Sequence, residues 1–365
     1  MTQMTTYEVS RETLEYNIKQ LKAKANGVPI WAVVKGDGYG LGVLPLAEVL
    51  AEQNIHHFCV TELREAEILR DNGFTEDQIL MLRSVADRKE INRLLDLKVI
   101  LTVGSEQVAA LIDQIAAERA DIAQVHLKID TGMGRYGFLP EQTDQVISLY
   151  REKKHLAISG IFTHFNCAFS DNELTKQEFS VFMRVVEQIR AAGQETGIVH
   201  CCNSAAFLKF PEMHCDAVRL GSAILGRVAF RTKLRPVGYV STAIEELRVL
   251  PKGHTTGYSA LWKAKKDTPI AILPVGWYHG FHVSCEPDMT RKRDCLRAAL
   301  GSIKAMLRPK RVTVEINGKA CPIVGAIGML HCAVDVSGIA CKRGDRAILQ
   351  MNPLHVKGIK VVFRK

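Results

Sequence analysis

Short apolar runs, most of them ending in a polar residue, alternate with longer segments of helical spacing through the first two-thirds of this chain. Strand candidates are Ile30–Lys35, His57–Thr61, Ile79–Arg83, Val99–Val103, Val125–Asp130, Ile158–His164, Ile198–Asn203 and Ala217–Gly221. Between them, segments such as Leu63–Asn72, Glu106–Ala120 and Leu174–Ala192 repeat apolar residues with a helical period. Eight such strands with intervening helices predict an α/β protein whose first domain, residues 1–230, is a closed (β/α)8 TIM barrel rather than an open sheet.

In such barrels the chemistry gathers at the C-terminal ends of the strands. That is where Lys35, the turn Asp130-Thr-Gly-Met-Gly-Arg135, His164, Asn203-Ser204 and Arg219 fall. The first of these ends is the most specific: Trp31-Ala-Val-Val-Lys35 runs directly into Gly-Asp-Gly-Tyr39-Gly40. A lysine at a strand end, beside a turn whose backbone can approach a phosphate, suits a barrel that holds pyridoxal 5'-phosphate as a Schiff base. A lone Val-Val-Lys would be a surface lysine; the other strand ends give it weight.

After about Phe230 the pattern changes. Val240–Leu250, Thr268–Trp277, Val312–Val324, Cys332–Val336 and Ala347–Met351 read as strands with short turns, and Asn317-Gly318 is a hairpin signal. A second, mostly β domain is therefore expected over residues 231–365. Within it, Cys295–Leu307 has the spacing of an amphipathic helix inserted between strands.

The net charge of +9 is concentrated rather than spread: between Thr290 and Val312 eight basic residues accompany one acidic residue, Asp294. No nucleic-acid motif goes with them, so a solvated or interface segment is expected and no nucleic-acid partner. No apolar run approaches the ~18 residues of a membrane span, and Met1–Thr6 shows no secretory leader. The ten cysteines lack CxxC spacing and read as reduced thiols. A cytoplasmic protein with no membrane partner and no metal is the expectation.

Several segments together resemble the alanine racemase family of fold-type III pyridoxal-phosphate enzymes. They are Ala32-Val-Val-Lys35-Gly-Asp-Gly-Tyr39-Gly40, Lys128-Ile-Asp-Thr-Gly-Met-Gly-Arg135-Tyr-Gly137, Thr163-His164-Phe165, Asn203-Ser-Ala-Ala206 and Val218-Arg219-Leu-Gly221. In the second domain the match continues through Gly257-Tyr258-Ser-Ala-Leu-Trp262, Leu273-Pro-Val-Gly276 and Val324-Gly-Ala-Ile-Gly-Met329. The resemblance covers nearly the whole chain and implies racemisation of a small amino acid, alanine first and serine next. In bacteria that activity supplies D-alanine for peptidoglycan.

The resemblance also implies roles. Lys35 is the Schiff-base lysine and the base on one face; Tyr258 is the base on the opposite face, contributed by the partner subunit of a homodimer with shared active sites. Arg135 and Met329 contact the substrate carboxylate. Tyr39, Ser204, Gly221 and Ser222 hold the cofactor phosphate, and Lys128 is the position carbamylated in many members. Lysine and tyrosine have similar intrinsic pKa values, about 10 each, so neighbouring cations must lower the tyrosine for it to work near neutrality. His164 and Arg219 resemble the residues that do so. Arg219 also faces the pyridine nitrogen in the family, and an arginine cannot hand the ring a proton.

The chain departs from the family pattern in four places. Leu330 follows Met329 where an aspartate is usual, and Trp277-Tyr278-His279-Gly280 replaces Tyr-Ala-Asp-Gly. The basic insertion near 289–309 is longer than usual, and the closing segment from Met351 to Lys365 lacks the family's phosphate-binding tyrosine. These changes leave both bases in place and bear on substrate range and cofactor affinity. Two other readings share the cofactor: a metal-assisted fold-type III lyase, for which His331-Cys332 is the only suggestive pair, and a non-catalytic carrier, which would not need Tyr258.

Overall fold

The computed structural model describes residues 5–284, 292–307 and 311–364, and they fall into two compact units. One runs from Arg11 to Val237; the other joins the N-terminal strand to the chain from Gly238 onward.

The first unit is the expected barrel. Strand β1 (Thr6–Ser10) precedes it, and its own strands are β2 (Ile30–Val33), β3 (His57–Val60), β4 (Gln78–Met81), β5 (Leu101–Val103), β6 (Ala123–Lys128), β7 (Leu156–Phe162), β8 (Ile198–His200) and β9 (Val218–Leu220). All pair in parallel, in two runs, β9-β2-β3-β4 and β5-β6-β7-β8. Single parallel bridges, Leu80 to Ile100 and His200 to Ala217, join the runs at both edges and close the cylinder. Helices such as Leu63–Asp71, Glu106–Glu118 and Asn172–Ala191 return the chain between strands. Their N-termini are set by side chains: Ser105 accepts from Val108 N and Asp171 from Leu174 N, satisfying amides that the helix leaves unpaired. Trp31, Val33, Cys59, Leu80, Ile100 and Ala217 pack together as a fully buried cluster.

The second unit is a nine-stranded sheet. Its strands are β1, β10 (Gly238–Ala243), β11 (Glu246–Leu250), β12 (Thr255–Thr256), β13 (Trp262–Lys263), β14 (Thr268–Leu273), β15 (Thr313–Ile316), β16 (Lys319–Val324), β17 (Cys332–Asp335), β18 (Arg346–Leu349) and β19 (Lys360–Arg364), with β12 and β13 forming a separate ribbon. The large sheet has the order β11-β14-β17-β16-β15-β18-β10-β1-β19. Asn317 (φ 49°) and Gly318 (φ 74°) make the β15–β16 turn, both left-handed as a two-residue hairpin requires. The expected division at 230/231 differs from the observed one. Thr6–Ser10 lie between β10 and β19, with Tyr7 and Val9 buried, so the first strand belongs to the β unit. The inserted helix spans Lys292–Leu307; positions 289–291 and 308–309 of the expected insertion lie outside the described residues.

Candidate active site

At the end of β2, Lys35 begins a turn in which Gly36, Asp37, Gly38, Tyr39 and Gly40 all have positive φ, between 51° and 83°. Such a run is unfavourable for residues with a Cβ, which is why glycine fills three of its five positions. Of the two others, Asp37 is held from both ends: its Oδ1 accepts from Val43 N at 3.1 Å, and its N donates to Glu65 Oε1 at 3.2 Å. The left-handed turn directs the Tyr39 ring to the end of β9, where a Cβ on Gly221 would meet its hydroxyl at 2.2 Å. Burial pushes Tyr39 up to about 12, so its hydroxyl remains a donor.

Beside it, Asn203 caps the short helix Ser204–Lys209, accepting from Ala205 N and Ala206 N, each at 3.0 Å. This places Ser204 Oγ to accept from Gly221 N and Ala223 N, both at 3.2 Å. The Tyr39 and Ser204 hydroxyls and the turn that follows β9 therefore meet at one spot around Gly221. Ser222 lies in the same turn.

Lys35, Lys128, Arg135, His164 and Arg219 line a single cavity of about 210 Å³, together with Thr61, Leu82, Arg83, Tyr136 and Phe162. Among the described residues no carboxylate lines it. Burial lowers the Lys35 amine, and Arg135 lowers it further. Lys128 is brought down to about 8, by burial first and then by Arg135 and Arg219. His164 is held well below its ordinary value by burial and by the same cations, so it is neutral. Arg135 hangs on a turn organised by Asp130, which accepts from the amides of Gly132, Gly134 and Arg135 at 3.0–3.1 Å. Burial pushes that carboxyl up, and the backbone donors outweigh it and hold it below its usual range.

Arg219 is fully buried and hydrogen-bonded to the strand ends around it. Nη1 donates to His200 Nδ1 at 2.6 Å and to the His200 carbonyl at 3.0 Å; Nη2 donates to the carbonyls of Thr163 (2.6 Å) and Cys201 (3.2 Å). Of its donors only the Nε–H has no protein acceptor among the described residues, and the side chain borders the cavity. His200 and its neighbour His126 were missed in the sequence. The one signal for His200 was position, since it ends a strand otherwise made of apolar residues, whereas His126 shares its strand with Gln124 and Lys128.

Tyr258 and Met329 lie on the β unit, where they line a separate cavity of about 450 Å³ with Gly257, Gly328 and Leu330. Gly257, at φ 77°, permits the turn into Tyr258, since a Cβ there would meet Ala326 N at 2.7 Å. Tyr258 is 71% exposed and Met329 47%. His331 is paired with Glu245 at 3.3 Å, while Cys332 beside it is buried, so the two do not converge on a common point.

Two family models match this chain: the alanine racemase N-terminal domain over residues 9–228 and the alanine racemase C-terminal domain over residues 237–356. The chain belongs to the alanine racemase family. It is 32% identical over 364 residues to the alanine racemase of Clostridium tetani, covering 97% of this chain and 87% of that one. It is 31% identical over 341 residues to the alanine racemase of Methanococcus maripaludis, covering 91% and 84%. Among solved structures, the alanine racemase of Clostridium difficile 630 superposes with a TM-score of 0.81 at 27% identity, covering 99% of this chain and 89% of that one. The alanine racemase fold thus accounts for both units, the barrel and the mostly β C-terminal domain.

Proposed function

We propose that this chain is a pyridoxal-phosphate-dependent alanine racemase in which Lys35 and Tyr258 move protons on opposite faces of the substrate. The observation that carries this reading is the Lys35 amine, desolvated at the end of β2 and opening on a cavity that it lines with Lys128, Arg135 and Arg219. Lowering the pKa of that amine raises its neutral, nucleophilic fraction. When bound, pyridoxal phosphate supplies an aldehyde for that amine and an electron sink that acidifies the α-C–H of an amino acid.

The residues present fit such a group. The cluster of Tyr39, Ser204, Gly221 and Ser222 suits its phosphate, with Gly221 kept free of a Cβ by the Tyr39 hydroxyl. Arg219 has one N–H to offer and stays protonated, so it orients a ring nitrogen without transferring a proton to it. That keeps the electron sink modest and disfavours side reactions.

Arg135 and the Met329 backbone hold the substrate carboxylate in this reading. Lys35 Nζ takes or returns the α-proton on one face and the Tyr258 hydroxyl does so on the other. Neutral His164 and the Arg219 guanidinium set the field around that hydroxyl. Tyr258 and Met329 are exposed on the β unit, as groups that complete another copy's site would be, and we read the working form as a homodimer. A cytoplasmic role in supplying D-alanine to peptidoglycan rests on the family.

The test is chiral chromatography of L-alanine and L-serine after incubation with purified, cofactor-loaded protein. D-Alanine should form faster than D-serine, and Lys35→Ala should abolish both. Return of L-alanine unchanged, without α-proton exchange in D2O, would overturn the reading.

A further inference from the structure

We propose that the helix Lys292–Leu307 is a docking element for an anionic phospholipid surface. Leu296, Leu300, Ile303, Met306 and Leu307 recur at the spacing that gathers them on one side of the helix. Each is between 51% and 76% exposed. Arg297 and Lys304, seven positions apart, run along one margin of that side, and the opposite side carries only the small residues Ala298, Gly301, Ser302 and Ala305 with Asp294.

A helix of this length, exposed along its whole apolar side, half-buried only at Asp294 and Ala298 on the other and with a glycine near its centre, is marginal in water without something to cover its apolar face. Charge selects the cover. The helix carries no acidic residue along its apolar side; Asp294 is on the other side and faces Arg297 at 3.4 Å. Pairing with the same helix of a second copy would oppose Arg297 to Lys304 if antiparallel, or each to itself if parallel. An anionic bilayer accepts both parts, acyl chains against the leucines and headgroups against the basic margin, and needs no matching groove. This mode requires no span, and among the described residues no helix is long and apolar enough to cross a membrane.

The experiment is co-sedimentation of the full-length protein with vesicles of phosphatidylcholine alone or mixed with phosphatidylglycerol, with circular dichroism and alanine racemisation followed in parallel. Binding is expected only to the phosphatidylglycerol vesicles and should weaken with salt. Each basic residue near such a surface is worth about fivefold in partition, so Arg297→Gln/Lys304→Gln should lose about 25-fold. Leu300→Ser/Ile303→Ser should lose at least about tenfold at unchanged catalytic rate. Equal binding to neutral vesicles would overturn the charge argument. So would no vesicle binding, whether the helix variants shift the oligomeric state, which would assign the face to a second copy, or leave it unmoved. Failure of racemisation would bear on the active site and leave this result standing.

Discussion

Arg219 Nη1 donates to His200 Nδ1 at 2.6 Å, and that one bond fixes the protons of two buried imidazoles. With Nδ1 accepting, His200 carries its proton on Nε2 and donates it to His126 Nδ1, 3.0 Å away. His126 is then protonated on Nε2, which has no hydrogen-bond partner among the described residues. Phe162 and Trp31 stack on His200 and keep the row in place. The cation that borders the cavity is thus oriented from inside the barrel.

Replacing His200 by phenylalanine keeps the ring stack and removes the acceptor. A buried hydrogen bond to a charged group is worth about 2 kcal/mol, so unfolding in urea should show that loss. The kcat for alanine should fall about tenfold or more as Arg219 shifts. An unchanged kcat in a destabilised variant would make the histidine purely structural.

Acid should weaken the fold through the same row. Burial lowers His126 to about 3 and puts His200 well below its ordinary value, whereas an unfolded histidine titrates near 6.5. Below that pH the unfolded chain binds protons that the folded chain refuses, so stability is complete above about 6.5 and is lost as pH falls towards 3. For His126 alone the loss at pH 5 is about 2 kcal/mol. His126→Gln should lose about that much less between pH 7 and pH 5, measured by urea unfolding; an identical pH slope would contradict the assignment.

The barrel was legible because each of its strands is a local apolar run and the polar residue ending it, Lys35 or His164, falls on one rim by the rules of the fold. The pairing of β1 with β19 was not, because Thr6 meets Lys360 across nearly the whole chain. Local periodicity carries no trace of such a partner. The Arg219–His200–His126 row escaped for a related reason: its meaning lies in contacts between strands, while each histidine alone reads as a satisfied core residue. Lys35 and Tyr258 could be named together only through family resemblance, since nothing in spacing links a β2 end to a turn of the second unit.

Adding one methyl group should separate cofactor binding from folding. In Gly221→Ala the new Cβ would meet the Tyr39 hydroxyl at 2.2 Å and the ring carbon Cζ at 2.6 Å, so the ring must leave that spot. Pyridoxal-phosphate affinity, titrated by absorbance, should weaken at least about tenfold at little change in Tm. Full affinity would place the phosphate elsewhere.

Lys128, at about 8, has an appreciable neutral fraction near physiological pH, the form that adds CO2. Around it the cations Arg135, Arg219 and Lys35, which a carbamate would satisfy better than an ammonium, outweigh the one carboxylate, Asp130. Carbon-13 NMR of protein equilibrated with labelled bicarbonate should show one carbamate signal, absent in Lys128→Ala, and that variant should raise KM for alanine. A spectrum without the signal would leave Lys128 as an amine.

Lys35 and Tyr258 belong, in this reading, to two copies of the chain that complete each other's sites. Lys35→Ala and Tyr258→Phe should each be nearly inactive alone. Unfolded together and refolded as a mixture, they should regain about a quarter of wild-type alanine racemisation, because half of the dimers are hybrids and each hybrid has one intact pair. No recovery in a mixture that demonstrably contains hybrid dimers would contradict the shared site, and full activity in either variant alone would contradict the two-base mechanism itself.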